Sequence, residues 1–171
     1  LWTTMTQHPE QAETPTQQDL AMMSLALDLA SQGADRGEVP VGAVVYETQT
    51  GTILGQGTNS REAQNDPSGH AEFSAILQAC KSIEDWRLNH CTLVVTLEPC
   101  PMCAGLIVNS RIGRLVYGAD DPKAGAVRSL FRLCDDERLN HRASVLTGVM
   151  ASESSEMLKA FFKRLRDARG S

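Results

Sequence analysis

His70-Ala71-Glu72 and, twenty-seven residues beyond Glu72, Pro99-Cys100-Pro101-Met102-Cys103 carry the residue types from which a metal centre is built. Cys100 and Cys103 are three positions apart, so one turn at a helix start presents both sulfurs to the same point. His70, arriving from elsewhere in the chain, makes a third ligand. Two thiolates and a neutral imidazole suit zinc, and three protein ligands with the fourth position left to water is the pattern of a catalytic site. The ion there lowers the pKa of its water to about 7, which yields hydroxide at neutral pH. Glu72 stands two residues past His70, where helical spacing sends its carboxylate to a different side from the imidazole. That placement suits handling the water's proton rather than ligating the ion. The competing reading is a redox CxxC pair, which also sits at a strand-to-helix junction but leaves Glu72 without a part.

The elements that must position these residues are legible from periodicity. Asp66-Pro67-Ser68-Gly69 reads as a loop, and Ala71, Ala75, Ile76 and Ala79 predict a helix over 71–81 that His70 opens. Residues 92–97 are a β-branched apolar run expected to form a strand buried on both faces, stopped by Glu98-Pro99 before the cysteine helix. A short helix over 103–108 and a strand over 114–117 follow, an order that implies a parallel crossover. Upstream, Leu20, Met23, Leu27 and Ala30 predict a helix over 18–32 with Gly33 as its stop. Strands over 41–47 and 53–58 flank a hairpin turn at 48–51. A fifth strand is expected over 143–148 and a long last helix over 152–169.

The fold expected is α/β: a three-layer α/β/α sandwich around a mixed five-stranded sheet, with both ligand-bearing helix starts at one end of the sheet. Helix N-termini favour thiolate over thiol, so Cys100 and Cys103 are expected to ionise readily.

The chain of 171 residues fits one domain, expected over 18–171 after a disordered tail over 1–17. No apolar run approaches the roughly 20 residues of a membrane helix, and no secretory signal is seen, so the cytoplasm is the expected location. Five cysteines, an odd number scattered through a chain of this size, argue against a disulfide framework. Cys80, Cys91 and Cys134 read as small buried hydrophobes or idle thiols. A net charge of −5 argues against a general nucleic-acid binder. The charge is uneven, however: residues 1–40 carry a net −5 and residues 157–171 a net +4, which leaves room for a local basic surface.

The chain resembles the bacterial tRNA-specific adenosine deaminases, within the cytidine-deaminase-like zinc deaminases, over roughly residues 18 to 167. The resemblance is carried by Val39-Pro40-Val41-Gly42-Ala43-Val44, Asn59, His70-Ala71-Glu72 and the run from Val95 to Gly105. Ser110-Arg111-Ile112-Gly113-Arg114, the run from Tyr117 to Gly125, Asn140-His141-Arg142 and Phe161-Phe162-Lys163-Arg164 extend it. It is similar to the histidine-x-glutamate and proline-cysteine-x-x-cysteine signature of deaminases that act on nucleobases. The resemblance implies hydrolytic deamination of adenosine to inosine at the wobble position of a tRNA anticodon. One zinc per subunit would be held by His70, Cys100 and Cys103, with Glu72 as general acid and base, a tRNA anticodon stem-loop as partner, and a homodimer.

The same resemblance implies that Asn59 contacts the target nucleoside, although turn chemistry after the second strand explains an asparagine there equally well. It implies that the loop holding Asp121 and Lys123 meets the flanking nucleotides; Asp120 is an acid where the family often has a basic residue. On the last helix one phenylalanine packs and the other is free to stack on a base, a role assigned to Phe162, with Arg166 near phosphates. Leu106, Ile107 and Val108 offer apolar surface for a dimer. The alternative is a deaminase of a free nucleobase or nucleotide of the guanine or cytosine class. The metal motif does not separate the two, but the stretch from Ser110 to Gly125 and the basic last helix are superfluous for a free base.

Overall fold

The computed structural model describes residues 13–170. Helix α1 (Gln17–Asp35) opens on a capping box in which Thr16 and Asp19 exchange side-chain and backbone hydrogen bonds. The expected tail therefore divides: residues 1–12 lie outside the described residues, while Glu13 forms an ion pair with Arg114 at 2.8 Å. Gly33 does not stop α1 but lies buried inside it, two residues before its end. The glycine serves close approach, since a Cβ there would stand 2.4 Å from Thr58 Oγ1.

Strand β1 (Gly42–Glu47) pairs antiparallel with β2 (Ile53–Thr58) and, on its other edge, with β3 (Cys91–Leu97). Strand β4 (Arg114–Ala119) runs parallel to β3, and β5 (Ser144–Leu146) parallel to β4. The sheet order is β2-β1-β3-β4-β5, the mixed five-stranded sheet expected. Helix α2 (Arg61–Gln64) is a single turn that periodicity does not announce. Helix α3 (Ala71–Ile83) follows it, α4 (Pro101–Asn109) makes the parallel crossover, and α5 (Ala151–Arg169) closes the chain.

Alternation along the central strands divides the core in two. Ala43, Val45, Leu93, Val95, Leu115 and Tyr117 face α3 and α4, joined by Ala75, Ile76, Ala104 and Ile107. Val44, Tyr46, Val94 and Val116 face the opposite side, where Met23, Ala26 and Leu27 of α1 cover them. Burial of both faces makes the inner strands read as continuous apolar runs, and helices on each side give the three layers. Residues 120–143 form turns rather than a helix or strand, and β5 is shorter than the 143–148 expected. A connection of that length without regular structure in a compact domain is characteristically functional.

Candidate metal centre and its cavity

Local chain chemistry delivers each ligand to the end of a helix. His70 is the N-cap of α3 with extended backbone angles (φ −100°, ψ 146°), and Cys100 is the N-cap of α4 (φ −73°, ψ 172°) with Pro101 at the first helical position. Proline is favoured there because its missing N–H and fixed φ cost the helix nothing. The imidazole Nδ1 of His70 lies 3.6 Å from Cys100 Sγ and 3.4 Å from Cys103 Sγ. In a tetrahedral site with Zn–S of about 2.3 Å and Zn–N of about 2.0–2.1 Å, nitrogen and sulfur stand about 3.6 Å apart, so the three atoms match a zinc site. Among the described residues, His70, Cys100 and Cys103 are the group able to hold a metal ion, and both cysteines are free thiols rather than a disulfide.

The two thiols of the pair are pushed in opposite directions. Hydrogen bonds from Cys103 and from His70 outweigh burial and bring Cys100 down to about 4. Cys103 is driven far upward by its hydrogen bond to Cys100 and by burial. Two adjacent thiolates repel, and a divalent cation is the partner that lets both be charged together. The His70 imidazole is raised, first by its hydrogen bond with Cys100, against the opposing effect of burial.

Glu72 sits in the first turn of α3 and is 3% exposed. Burial raises its carboxyl above the usual range, with the α3 backbone and the neighbouring His70 opposing. His70, from its extended N-cap position, and Glu72, from the first turn of α3, both line one cavity.

This cavity, about 230 Å³, is lined by His70, Glu72 and Cys100, by Asn59, Arg61 and Glu62, and by Glu98, Asp121 and Ala124. It falls below the roughly 300 Å³ at which pockets for larger ligands begin, a scale that suits a single nucleobase. Asn59 is not a turn residue. Its Nδ2 donates to Val39 O and its Oδ1 accepts from Ala71 N, each at 3.0 Å, so it braces the backbone beside His70 while lining the cavity. Asp121 accepts from the backbone N–H groups of Lys123 and Ala124 through Oδ1. Asp120 is held by the Tyr117 hydroxyl at 2.9 Å.

The remaining site candidates form a second, shallow hollow. Lys123, Leu158, Lys159, Phe162 and Arg166 line it together, so the loop after β4 borders both places. Phe161 is 5% exposed and Phe162 42%, with the two rings edge to face at 5.5 Å. One packs and the other faces outward, as the spacing predicts. The apolar surface expected on α4 is corrected: Ile107 and Val108 point into the core, and Leu106 alone of the three stays partly exposed, because α4 turns its longer apolar side to the sheet. Cys91 and Cys134 are pushed up to about 11 and about 12 by burial, which keeps them as thiols. Sequence reasoning missed Glu38 and Glu98, two cavity-lining acids buried to 1% and 2% exposure. The position of Glu98 at the end of a buried strand, next to a ligand helix, was a signal; nothing marked Glu38.

Fold and site together define a deaminase of the cytidine-deaminase-like class. The family profile of the MafB19-like deaminases matches residues 17–166. The tRNA-specific adenosine deaminase of Haemophilus influenzae is 46% identical over 156 residues, covering 91% of this chain and 90% of that protein. Its counterpart in Bacillus subtilis is 46% identical over 149 residues, with 87% and 91% covered. A solved structure from a study of A-to-I editing by tRNA:A34 deaminases is 42% identical and superimposes with a TM-score of 0.76, covering 81% of this chain and 99% of that one. The chain belongs to the family of tRNA-specific adenosine deaminases.

Proposed function

We propose that this chain deaminates adenosine to inosine at the wobble position of a tRNA anticodon, using one zinc ion per subunit held by His70, Cys100 and Cys103. The observation that carries the reading is the metal-ligating group of His70, Cys100 and Cys103 beside a small cavity that His70, Cys100 and the buried Glu72 line. When bound, the zinc supplies Lewis-acid activation of water at neutral pH. Glu72, shielded from solvent, accepts the proton released as water attacks purine C6 and delivers it to ring N1; it then carries the second proton, from the new C6 hydroxyl, to the amino group, which leaves as ammonia. Water and adenosine are thereby converted to inosine and ammonia, with no redox partner.

Asn59 keeps His70 in place and presents its remaining amide hydrogen to the base. Asp121 and Lys123 meet the neighbouring nucleotides, and Phe162 and Arg166 give a stacking face and a phosphate partner. An anticodon loop is already unpaired, so turning one base outward costs less than extrusion from a duplex. The exposed apolar face with Leu77, Trp86 and Leu106 supports a homodimer. No helix among the described residues is long and apolar enough to cross a membrane, and tRNA as substrate accords with a cytoplasmic enzyme.

The deciding experiment offers the purified protein an anticodon stem-loop with adenosine at the wobble position, and free guanine, cytosine and adenosine separately. Inosine in the stem-loop, read as guanosine on sequencing, is expected; turnover of a free base with none on the stem-loop overturns the reading.

A further inference from the structure

Glu98 is a buried carboxylate with an unusual set of partners. Its Oε1 accepts from the backbone N–H groups of Val127 (3.2 Å), Arg128 (2.7 Å) and Ser129 (2.8 Å). Its Oε2 accepts from the backbone N–H of Asp121 at 2.9 Å and from the Ser129 hydroxyl. The Arg128 guanidinium turns away to Asp135 at 3.1 Å. Burial of a carboxylate is tolerated only when hydrogen bonds replace its water, and here one loop supplies all five donors. Gly125 lies against the same carboxylate, where a Cβ would stand 2.2 Å from Oε2. The backbone on either side is tied as well: Glu98 N donates to Ala119 O, and Ala126 N donates to Pro99 O, both at 2.8 Å.

We infer that Glu98 is a positioning residue that holds the loop from Asp121 to Ser129 in its substrate-binding shape against the end of β3, which leads into Cys100 at the start of α4. The loop lacks regular structure of its own, so its amides have no helix or strand to satisfy them, and this carboxylate takes that part. Asp121 enters the cavity and Lys123 the neighbouring hollow only because the chain is folded around Glu98. Glu98 itself need not touch the reacting base. Loop order stands on this geometry alone, while the consequence for RNA binding rests on the proposed function.

Glu98→Gln tests the idea, because one accepting oxygen becomes an amide NH2 whose hydrogens face other donors. Gly125→Ala is the second variant, displacing the loop from the carboxylate without altering Glu98. In zinc-loaded protein, hydrogen exchange at residues 121–129 should quicken in both variants while β1, β3 and α1 keep wild-type protection. Zinc content should stay at one per chain, KM for an anticodon stem-loop should rise by roughly tenfold, and kcat should stay within about threefold. Serine at 129 replaced by alanine should give a smaller change in the same direction. Unchanged protection over 121–129 in a folded variant overturns the inference. So does a loss of kcat at constant KM, or loss of protection throughout the sheet, since either assigns Glu98 to the chemistry or to general stability. If the loop loosens but no stem-loop is turned over by the wild-type protein, the substrate reading fails and the positioning role stands.

Discussion

His70 Nδ1 lies 3.4 Å from Cys103 Sγ although the two residues are 33 positions apart in the chain. At that separation both atoms, with Cys100 Sγ, could hold one ion. His70→Ala should therefore weaken zinc binding by more than the roughly 10–100-fold that loss of an outer hydrogen-bond partner costs. Elemental analysis after dialysis against a chelator measures it. Full retention of zinc by the variant would remove His70 from the ligand set.

Glu72→Gln keeps the shape of a buried side chain and removes its capacity to carry a proton. Turnover should fall by roughly 10²–10⁴-fold, with zinc content unchanged and folding stability no lower than in the wild type. Single-turnover rates on a stem-loop, alongside thermal unfolding, separate the two effects. A variant that turns over at the wild-type rate contradicts the proton-transfer role.

Phe162 stands outward beside Lys159 and Arg166 in the hollow next to Lys123. Phe162→Ala should cost about 1–3 kcal/mol of RNA binding, as loss of one stacked base does, with only a small drop in thermal midpoint from the lost edge-to-face contact with Phe161. Arg166→Ala should lower the slope of log affinity against log salt by about one phosphate contact. Titrations at several salt concentrations read both, and equal affinities across the three proteins would take α5 out of the RNA surface.

Asp19 lies fully buried, with its carboxylate on Arg114 Nη1 at 2.6 Å and on the Tyr46 hydroxyl at 3.1 Å. Burial pushes its carboxyl up, but hydrogen bonds from Arg114 and the Thr16 backbone win and hold it at about 2 against an ordinary 3.8. A depressed native value means the stabilisation is complete above about pH 4 and drains away as pH falls through 2. The amount at stake is about 2 kcal/mol. Urea unfolding at pH 6, 4 and 2 should show this fall, and Asp19→Asn should flatten it between pH 4 and 2. A wild-type profile already flat over that range would show that the pair contributes nothing of the kind.

Leu77 and Trp86 are each 51% exposed and border a hollow with Leu106. A homodimer through this face predicts that Leu77→Glu lowers the mass in sedimentation to that of one chain while zinc content stays constant. Dimers that persist in the variant place the interface elsewhere.

The sequence by itself marked the three residues that the fold brings together as a group able to hold a metal ion, because their neighbours set the helix starts. Pro101 at the first helical position makes Cys100 the N-cap of α4, and the apolar spacing from Ala71 onward makes His70 the boundary of α3. The sheet was legible for a similar reason: strands buried on both faces must be apolar at every position, and a strand-helix-strand order leaves β3 and β4 parallel. Tertiary structure decided what local pattern does not encode. Gly33 reads as a stop until Thr58 is seen against it, the spacing leaves Asn59 open between a turn and a binding role until Val39 and Ala71 supply partners for both ends of its amide, and Glu98 reads as the end of a strand until five donors from 121–129 close around it. Periodicity reports which side of an element meets the core. The partner that satisfies a buried polar group comes from a distant part of the chain, and only folding brings it there.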